Sequence, residues 1–392
     1  MPGEFLVIGG GAAGAAAAWR FAVRGAKVVL VAEGVGCSGL YSGALDYAPW
    51  ELAPVLEQLD RETIAFANAL GCWVVSNRRA RIATSAGLVR PARGIDNGLL
   101  DLEPLAGKCI AVADVDRNDW DAAPLARTLS ASSWSRSTKT EFYPVRANAV
   151  RESHESRIPA YDFARLHDAP ERSDWLARQL STVSLGADAW LLGPWLGVEE
   201  NAAARLRSSL KMAIGETTSP PGASAGARFE LARDGLLAKV GVSFIRARVE
   251  SLEVVGSGVR TRITEPEGGT SHRASDAVVL AIGGVAAGGI TLDSPEHLPD
   301  ADEFRLSVAA PIELELDGKP LGAPSSLFGP EFRDGVALLE RVGIACQGAE
   351  ARGHTRLFVA GDARAERPRT MLEAVASGIA AADAALRLRG GG

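Results

Sequence analysis

Glu4-Phe5-Leu6-Val7-Ile8-Gly9-Gly10-Gly11-Ala12-Ala13-Gly14 places a short apolar run directly before four glycines. An apolar run of this length reads as a buried strand, and Gly9-x-Gly11-x-x-Gly14 after it reads as a turn into a helix. Each glycine has a separate physical task. Gly9 permits the tight turn, Gly11 lets backbone amides approach a pyrophosphate, and Gly14 lets helix and strand pack closely. The phosphates then meet the positive end of the helix, where unpaired N–H groups point outward. The Ala-rich helix runs to Arg24, Gly25 closes it, and Lys27–Ala32 reads as a second buried strand. The chain therefore opens on a strand–turn–helix–strand unit suited to a dinucleotide.

The ribose of such a ligand calls for an acid at the tip of the second strand, about 20 residues beyond the glycines. Glu33 is the available acid, although by count Ala32 holds the expected position. Strand side chains alternate faces, so Glu33 is a ribose ligand only where the strand has already ended. Otherwise it is a solvated loop residue before Gly34.

Two further segments carry the same kind of signal. Val278-Val279-Leu280-Ala281-Ile282-Gly283-Gly284 is an apolar strand that ends in small residues, as a close approach to a ligand requires. It is equally compatible with an ordinary buried strand and turn. Thr355–Asp362 is a strand ending in Gly361-Asp362, and a helix follows over about Thr370 to Leu388. Asp362 suits a ribityl hydroxyl, and the helix can aim its N-terminus at a flavin pyrimidine. A plain N-cap aspartate is the other reading. The order of these motifs, with an insertion between the first two, resembles the glutathione-reductase-like FAD fold. A nicotinamide dehydrogenase needs only the first of them.

Composition narrows the class. The chain has 392 residues, 47% hydrophobic and 23% charged, which suits about two globular domains. A net charge of −6 gives no support to nucleic acid as a partner. Cys37, Cys72, Cys109 and Cys346 are too scattered for an iron–sulfur ligand run, and no metal site is expected. The apolar stretch from Phe5 to Ala18 is shorter than the roughly 20 residues a spanning helix needs. A cytoplasmic protein is expected, peripheral at the inner face of the membrane if a partner anchors it.

In the middle of the chain, helix and strand alternate: Lys108–Ala113, Trp120–Ala131, Thr140–Val145, Trp175–Val183 and Ala189–Leu192. The expected class is α/β. A discontinuous Rossmann-like FAD-binding domain, 1–104 and 212–392, would receive a second α/β domain, 105–211, for substrate or partner. Ser219-Pro220-Pro221-Gly222 marks a loop near the boundary.

The segment Ser38-Gly39-Leu40-Tyr41-Ser42-Gly43-Ala44-Leu45-Asp46, soon after the second strand, resembles the B-type subunit of anaerobic glycerol-3-phosphate dehydrogenase. Pro104–Ala113, Gly193–Gly197, Ser219–Arg228 and Leu357–Gly361 agree with that family, so the likeness covers most of the chain. It implies a flavin-bearing subunit working with a catalytic flavoprotein subunit and an iron–sulfur subunit, passing electrons from glycerol 3-phosphate towards quinone. The family also admits FMN, but the glycine triad and Gly361-Asp362 favour FAD.

The residues expected around the cofactor are Gly9, Gly11, Ala12, Ala13, Gly14, Glu33, Gly34, Ser38, Ser42, Gly43, Ala281, Gly283, Gly284, Gly361 and Asp362. Ser38 and Ser42 could bond flavin or phosphate, or simply suit a turn. His154 and His167 are candidate bases. Arg146, Arg157 and Arg165 could bind an anionic substrate, or be solvated surface charges. Either the chain carries its own substrate site or it holds flavin while a partner does the chemistry.

Overall fold

The runs Phe5–Ile8, Val28–Ala32, Ala277–Leu280 and Leu357–Val359 are apolar at every position, the pattern of strands covered on both faces. In the computed structural model they form the centre of one sheet. The residues described are 4–46, 59–183, 186–199, 201–293, 305–308, 314–316, 319–321, 342–365 and 367–390. Strand order across this sheet is Ser243–Arg246, Lys27–Ala32, Glu4–Ile8, Ala277–Leu280, Leu357–Val359, Glu350–Ala351, Cys346–Gln347. The first five run parallel; Glu350–Ala351 pairs antiparallel with Leu357–Val359, and Cys346–Gln347 pairs antiparallel with Glu350–Ala351. This is the expected Rossmann-type α/β arrangement, with segments from the two ends of the chain close together at its middle.

Alternate residues of each strand feed opposite cores. Phe5, Val7, Leu30, Val279 and Phe358 face the helices, and Phe5 stacks on Phe21 at 4.3 Å. Leu6, Ile8, Val29, Val31, Val278 and Leu280 face a three-stranded antiparallel sheet made of Arg248–Val255, Gly258–Thr264 and Thr270–Ser275.

The alanines of the opening helix, Ala12–Val23, have a packing cause. Ala12, Ala13 and Ala15–Ala18 are all buried, and the closing helix, Met371–Gly390, lies against them. A Cβ on Gly378 would stand 2.1 Å from the Ala13 carbonyl oxygen, so these backbones touch. Arg20 fixes the pair: its Nε and Nη2 donate to Asp383 at 2.7 and 3.0 Å, and its Nη1 donates to Glu62 at 2.6 Å.

A second, wholly parallel sheet has the order Glu141–Arg146, Cys109–Asp114, Ala189–Leu192, Ala213–Glu216. Its fourth strand lies beyond the 105–211 span expected for an inserted domain. Ala213–Glu216 is too short and too mixed to read as a strand from sequence alone. Trp190, Trp195 and Phe163 fill its core. A small antiparallel sheet, Ala44–Leu45, Val89–Asp96 and Trp73–Ala83, stands between the two, and Leu100 N–H donates to the Glu216 carbonyl across the seam. Among the described residues no helix is long and apolar enough to cross a membrane.

Candidate functional site

The glycine turn is compressed as its sequence requires. Gly9 adopts φ +108°, and its N–H donates to the Val31 carbonyl at 2.8 Å. A Cβ on Gly9 would sit 2.1 Å from the Ala281 carbonyl oxygen, and one on Gly14 would sit 1.8 Å from that of Gly9. No side chain fits at either position. The turn therefore delivers the start of the Ala12–Val23 helix to the edge of a cleft. Ala12 N–H donates to Ser38 Oγ at 2.8 Å, a bond that does not use the Ser38 hydroxyl proton.

The cleft measures about 640 Å³. Gly9, Gly11, Ala12 and Ala13 line it at the glycine turn, with Glu33, Gly34 and Ser38 from the loop after the second strand. Ala281, Gly283, Gly361 and Asp362 line the same cleft from the other two strand tips. Residues 11 and 362 thus share one cavity although they lie at opposite ends of the sequence. Gly14 and Gly284 stand just behind the wall: a Cβ on Gly284 would meet Arg369 and Asp362 at 2.5 and 3.0 Å. Glu33 is exposed at the cleft mouth, one residue past the strand, so the alternation of strand faces no longer governs it.

Ser42 and Gly43 are not in this cleft. The Ser42 carbonyl accepts from Ser219 N–H at 2.9 Å, and the Gly43 carbonyl accepts from Asp96 N–H at 2.7 Å. A Cβ on Gly43 would press on Leu99 at 2.5 Å. Both belong to the seam with the second sheet. The short 3-10 turn Cys37–Leu40 carries Ser38 inward and sends the following residues away.

The candidate catalytic residues also lie elsewhere. His167 is wholly buried beside Phe163, with Nδ1 bonded to the Phe163 carbonyl at 3.0 Å. Burial first, and Arg172 second, push it down to about 4. It is a core residue, neutral at pH 7. His154 is exposed on a 3-10 turn, Ser153–Ser156. Arg165 is exposed and 3.8 Å from Glu199, Arg146 is exposed and 3.6 Å from Asp114, and Arg157 is exposed. None of these five lines the cleft. His297 lies outside the described residues.

Several groups at the cleft give no local signal in the sequence. Arg233, on the helix Ser224–Lys239, donates from Nη1 to the Gly10 carbonyl at 2.7 Å while Glu230 and Asp234 flank it at 2.5 and 2.8 Å. It holds the glycine turn from behind. Arg369 lines the cleft next to Asp362. Burial pushes the Asp362 carboxyl up, and Arg369 partly offsets this. The Cys37 thiol is likewise raised by burial, with Asp362 adding to the effect.

Tyr41 joins the cleft to the seam. Its hydroxyl donates to Asp96 at 3.0 Å and accepts from Trp73 Nε1 at 2.9 Å. Arg228 lies 2.8 Å from Asp96 and 2.5 Å from Glu216, and its Nη1 donates to the Gly197 carbonyl at 2.7 Å. Burial raises Glu216 while Arg228 opposes the rise. This charge network is almost solvent-free, so removing one member strands the others.

No protein-family model matches the chain, and no curated protein does. Among solved structures it is similar to a flavoprotein/dehydrogenase from Cytophaga hutchinsonii, at 13% identity and TM-score 0.27, covering 72% of this chain and 39% of that one. It is also similar to CabE, an aromatic hydroxylase from angucycline biosynthesis, at 12% identity and TM-score 0.36, covering 99% and 63%. The flavin-dependent monooxygenase PieE, in complex with FAD and substrate, gives 16% identity and TM-score 0.37, covering 100% and 58%. The chain thus spans 39% to 63% of the length of these structures.

Proposed function

We propose that this chain is an FAD-dependent oxidoreductase. One observation carries the reading: a single cleft is lined both by the glycine turn near one chain end and by Gly361-Asp362 near the other. The residues present fit an extended dinucleotide. Side chains are excluded at Gly9 and Gly14, the helix start and Ser38 hydroxyl offer donors for phosphate, and Glu33 stands where a ribose would end. At the far end Asp362 is an acceptor for ribityl hydroxyls, and the closing helix presents Thr370, Met371 and Ala374 to the cleft. Bound flavin supplies the two-electron chemistry; the protein supplies position and field. Arg233 holds the turn, Tyr41 closes the inner wall, and Arg369 brings positive charge to the Asp362 end.

FMN fits less well, because it leaves Glu33 and the glycine turn without a ligand. Mass spectrometry of the cofactor released from purified protein is the test. FAD is the expected mass, FMN shortens the reading, and a colourless protein that binds nicotinamide dinucleotide overturns it.

A second reading concerns who does the substrate chemistry. Among the described residues no histidine lines the cleft, which favours a flavin-binding electron-transfer subunit whose partner carries the acid–base groups. In the form the sequence resemblance suggests, the partners are a catalytic flavoprotein subunit and an iron–sulfur subunit, the donor is glycerol 3-phosphate and the acceptor a quinone. Anaerobic titration separates the cases. Flavin that bleaches with glycerol 3-phosphate alone assigns the donor to this chain. Bleaching only when a partner is added assigns it to the complex, and no bleaching in either case removes this donor.

A further inference from the structure

We infer that Arg93 binds the anionic group, carboxylate or phosphate, of the substrate that reacts at the Asp362 end of the cleft. Its place beside the flavin rests on the function proposed above; the anion site itself does not.

Arg93 belongs to the strand Val89–Asp96, which pairs with Trp73–Ala83. The pairing loses register between Val75 and Ala80, so Ser76–Arg79 bulge out opposite Arg93. Bulges re-aim side chains and recur beside functional sites. Here the bulge turns the Ser76 carbonyl onto Arg93 Nη1 and brings Arg79 alongside. Arg93 is only 9% exposed, and its Nε, buried, has no hydrogen-bond partner among the described residues. A guanidinium offers five N–H donors in a planar fork, and burying that charge without a counter-ion is costly. Its charged form is disfavoured first by burial and then by Arg79, with no carboxylate among the described residues offsetting either. Asp46, the nearby acid, is already matched: Arg90 lies 3.1 Å from it, and the Arg93 backbone N–H donates to its carboxylate.

The Arg93 fork is thus left short of an acceptor. A planar oxyanion meets that need through paired N–H···O contacts, and it also relieves the repulsion from Arg79. The location is informative too. The Asp46 carbonyl accepts from Leu372 N–H at 3.1 Å, and Leu372 follows Met371, which lines the cleft. The sheet that carries Arg93 therefore touches the closing helix one residue past the cleft-lining Met371. Arg146, Arg157 and Arg165, the arginines suggested by sequence, are exposed, whereas Arg93 is buried; none of the four is itself part of the cleft wall.

The test is calorimetric titration of the purified full chain, with flavin and after flavin removal, using inorganic phosphate and separately acetate in a low-chloride buffer. Saturable binding is expected in both forms. Arg93→Gln should weaken it at least tenfold, and Arg93→Lys, which keeps the charge but not the fork, should fall between. Arg165→Gln should leave it unchanged. Tighter phosphate points to a phosphate ester substrate, and tighter acetate to a carboxylic acid. In the flavin-bound form the same anion should shift the visible flavin spectrum and saturate at the same concentration. Melting curves guard against misfolding: phosphate should raise the wild-type midpoint and not that of Arg93→Gln. Absence of saturable binding to the wild type, or equal binding by a folded Arg93→Gln, overturns the site. Binding without the spectral shift overturns its place beside the flavin. A protein that binds anion through Arg93 but carries no flavin leaves this site standing and removes only the proposed function.

Discussion

Gly11 and Gly14 lie one helical turn apart, yet the structure demands opposite outcomes when each gains a methyl group. At Gly14 the new Cβ lies 1.8 Å from the Gly9 carbonyl oxygen and 3.3 Å from Ala281 Cβ, between two backbones that cannot move independently. Gly14→Ala must part helix from strand, at a cost of about 1–3 kcal/mol or more for overpacking. Gly11 has φ −70°, which any residue adopts, and its Cβ would meet only Ser38, with Oγ at 3.1 Å. A serine rotamer can yield by a few tenths of an ångström, so the fold of Gly11→Ala should keep its stability within about 0.5 kcal/mol. The methyl nevertheless occupies the space between helix start and loop through which a pyrophosphate must pass. Breaking two charge-assisted amide hydrogen bonds, at roughly 1.5 kcal/mol each, costs about 3 kcal/mol, or about a hundredfold in Kd. Urea denaturation of the flavin-free proteins gives the stability, and quenching of FAD fluorescence gives the affinity. Gly11→Ala should lose binding alone, and Gly14→Ala both. If Gly11→Ala binds FAD about as tightly as wild type, the glycine turn is not where phosphate sits. If it is as unstable as Gly14→Ala, the packing argument is wrong.

Glu33→Ala should weaken FAD by about tenfold, one lost hydrogen bond to a charged group, and leave FMN affinity unchanged because FMN has no adenosine ribose; equal losses for both flavins would displace Glu33 from the ribose. His167 titrates at about 4 in the fold against 6.5 as a free side chain. A base with a lowered folded pKa contributes stability above 6.5 that is lost as pH falls towards 4, here about 3 kcal/mol by the usual conversion. His167→Gln should flatten that limb in pH-dependent urea melts while flavin reduction proceeds at the wild-type rate; a large rate loss would restore it as a base. Arg228→Met should cost about 3–5 kcal/mol in denaturant melts, since Asp96 and Glu216 stay buried with no cation between them. A change under about 1 kcal/mol would mean that the network is not charged as drawn.

What could be read from sequence was what the backbone imposes locally. Gly9 and Gly14 announce a turn because a side chain is excluded at φ +108° or with a carbonyl 1.8 Å from where Cβ would stand, and those constraints act over a few neighbouring residues. The tips at Ala281 and Asp362 were legible for the same reason. Side-chain partnerships were not, because they join segments far apart in the chain. Arg233 is 223 positions from the Gly10 carbonyl it holds, and nothing near it in sequence signals that bond. Polarity also misleads: His167 sits among Arg165, Asp168 and Glu171, yet the turn between Ala160–Leu166 and Pro170–Val183 rotates it into an apolar core. Arg93 is the converse, a charge inside an ordinary-looking strand that only a shifted register leaves buried and short of an acceptor. The cofactor cleft is thus written in glycines and strand tips. The specificity of whatever reacts beside it depends on cations whose significance is tertiary, which is why the chemistry of the substrate has to be sought at Arg93 rather than among the exposed arginines of the second sheet.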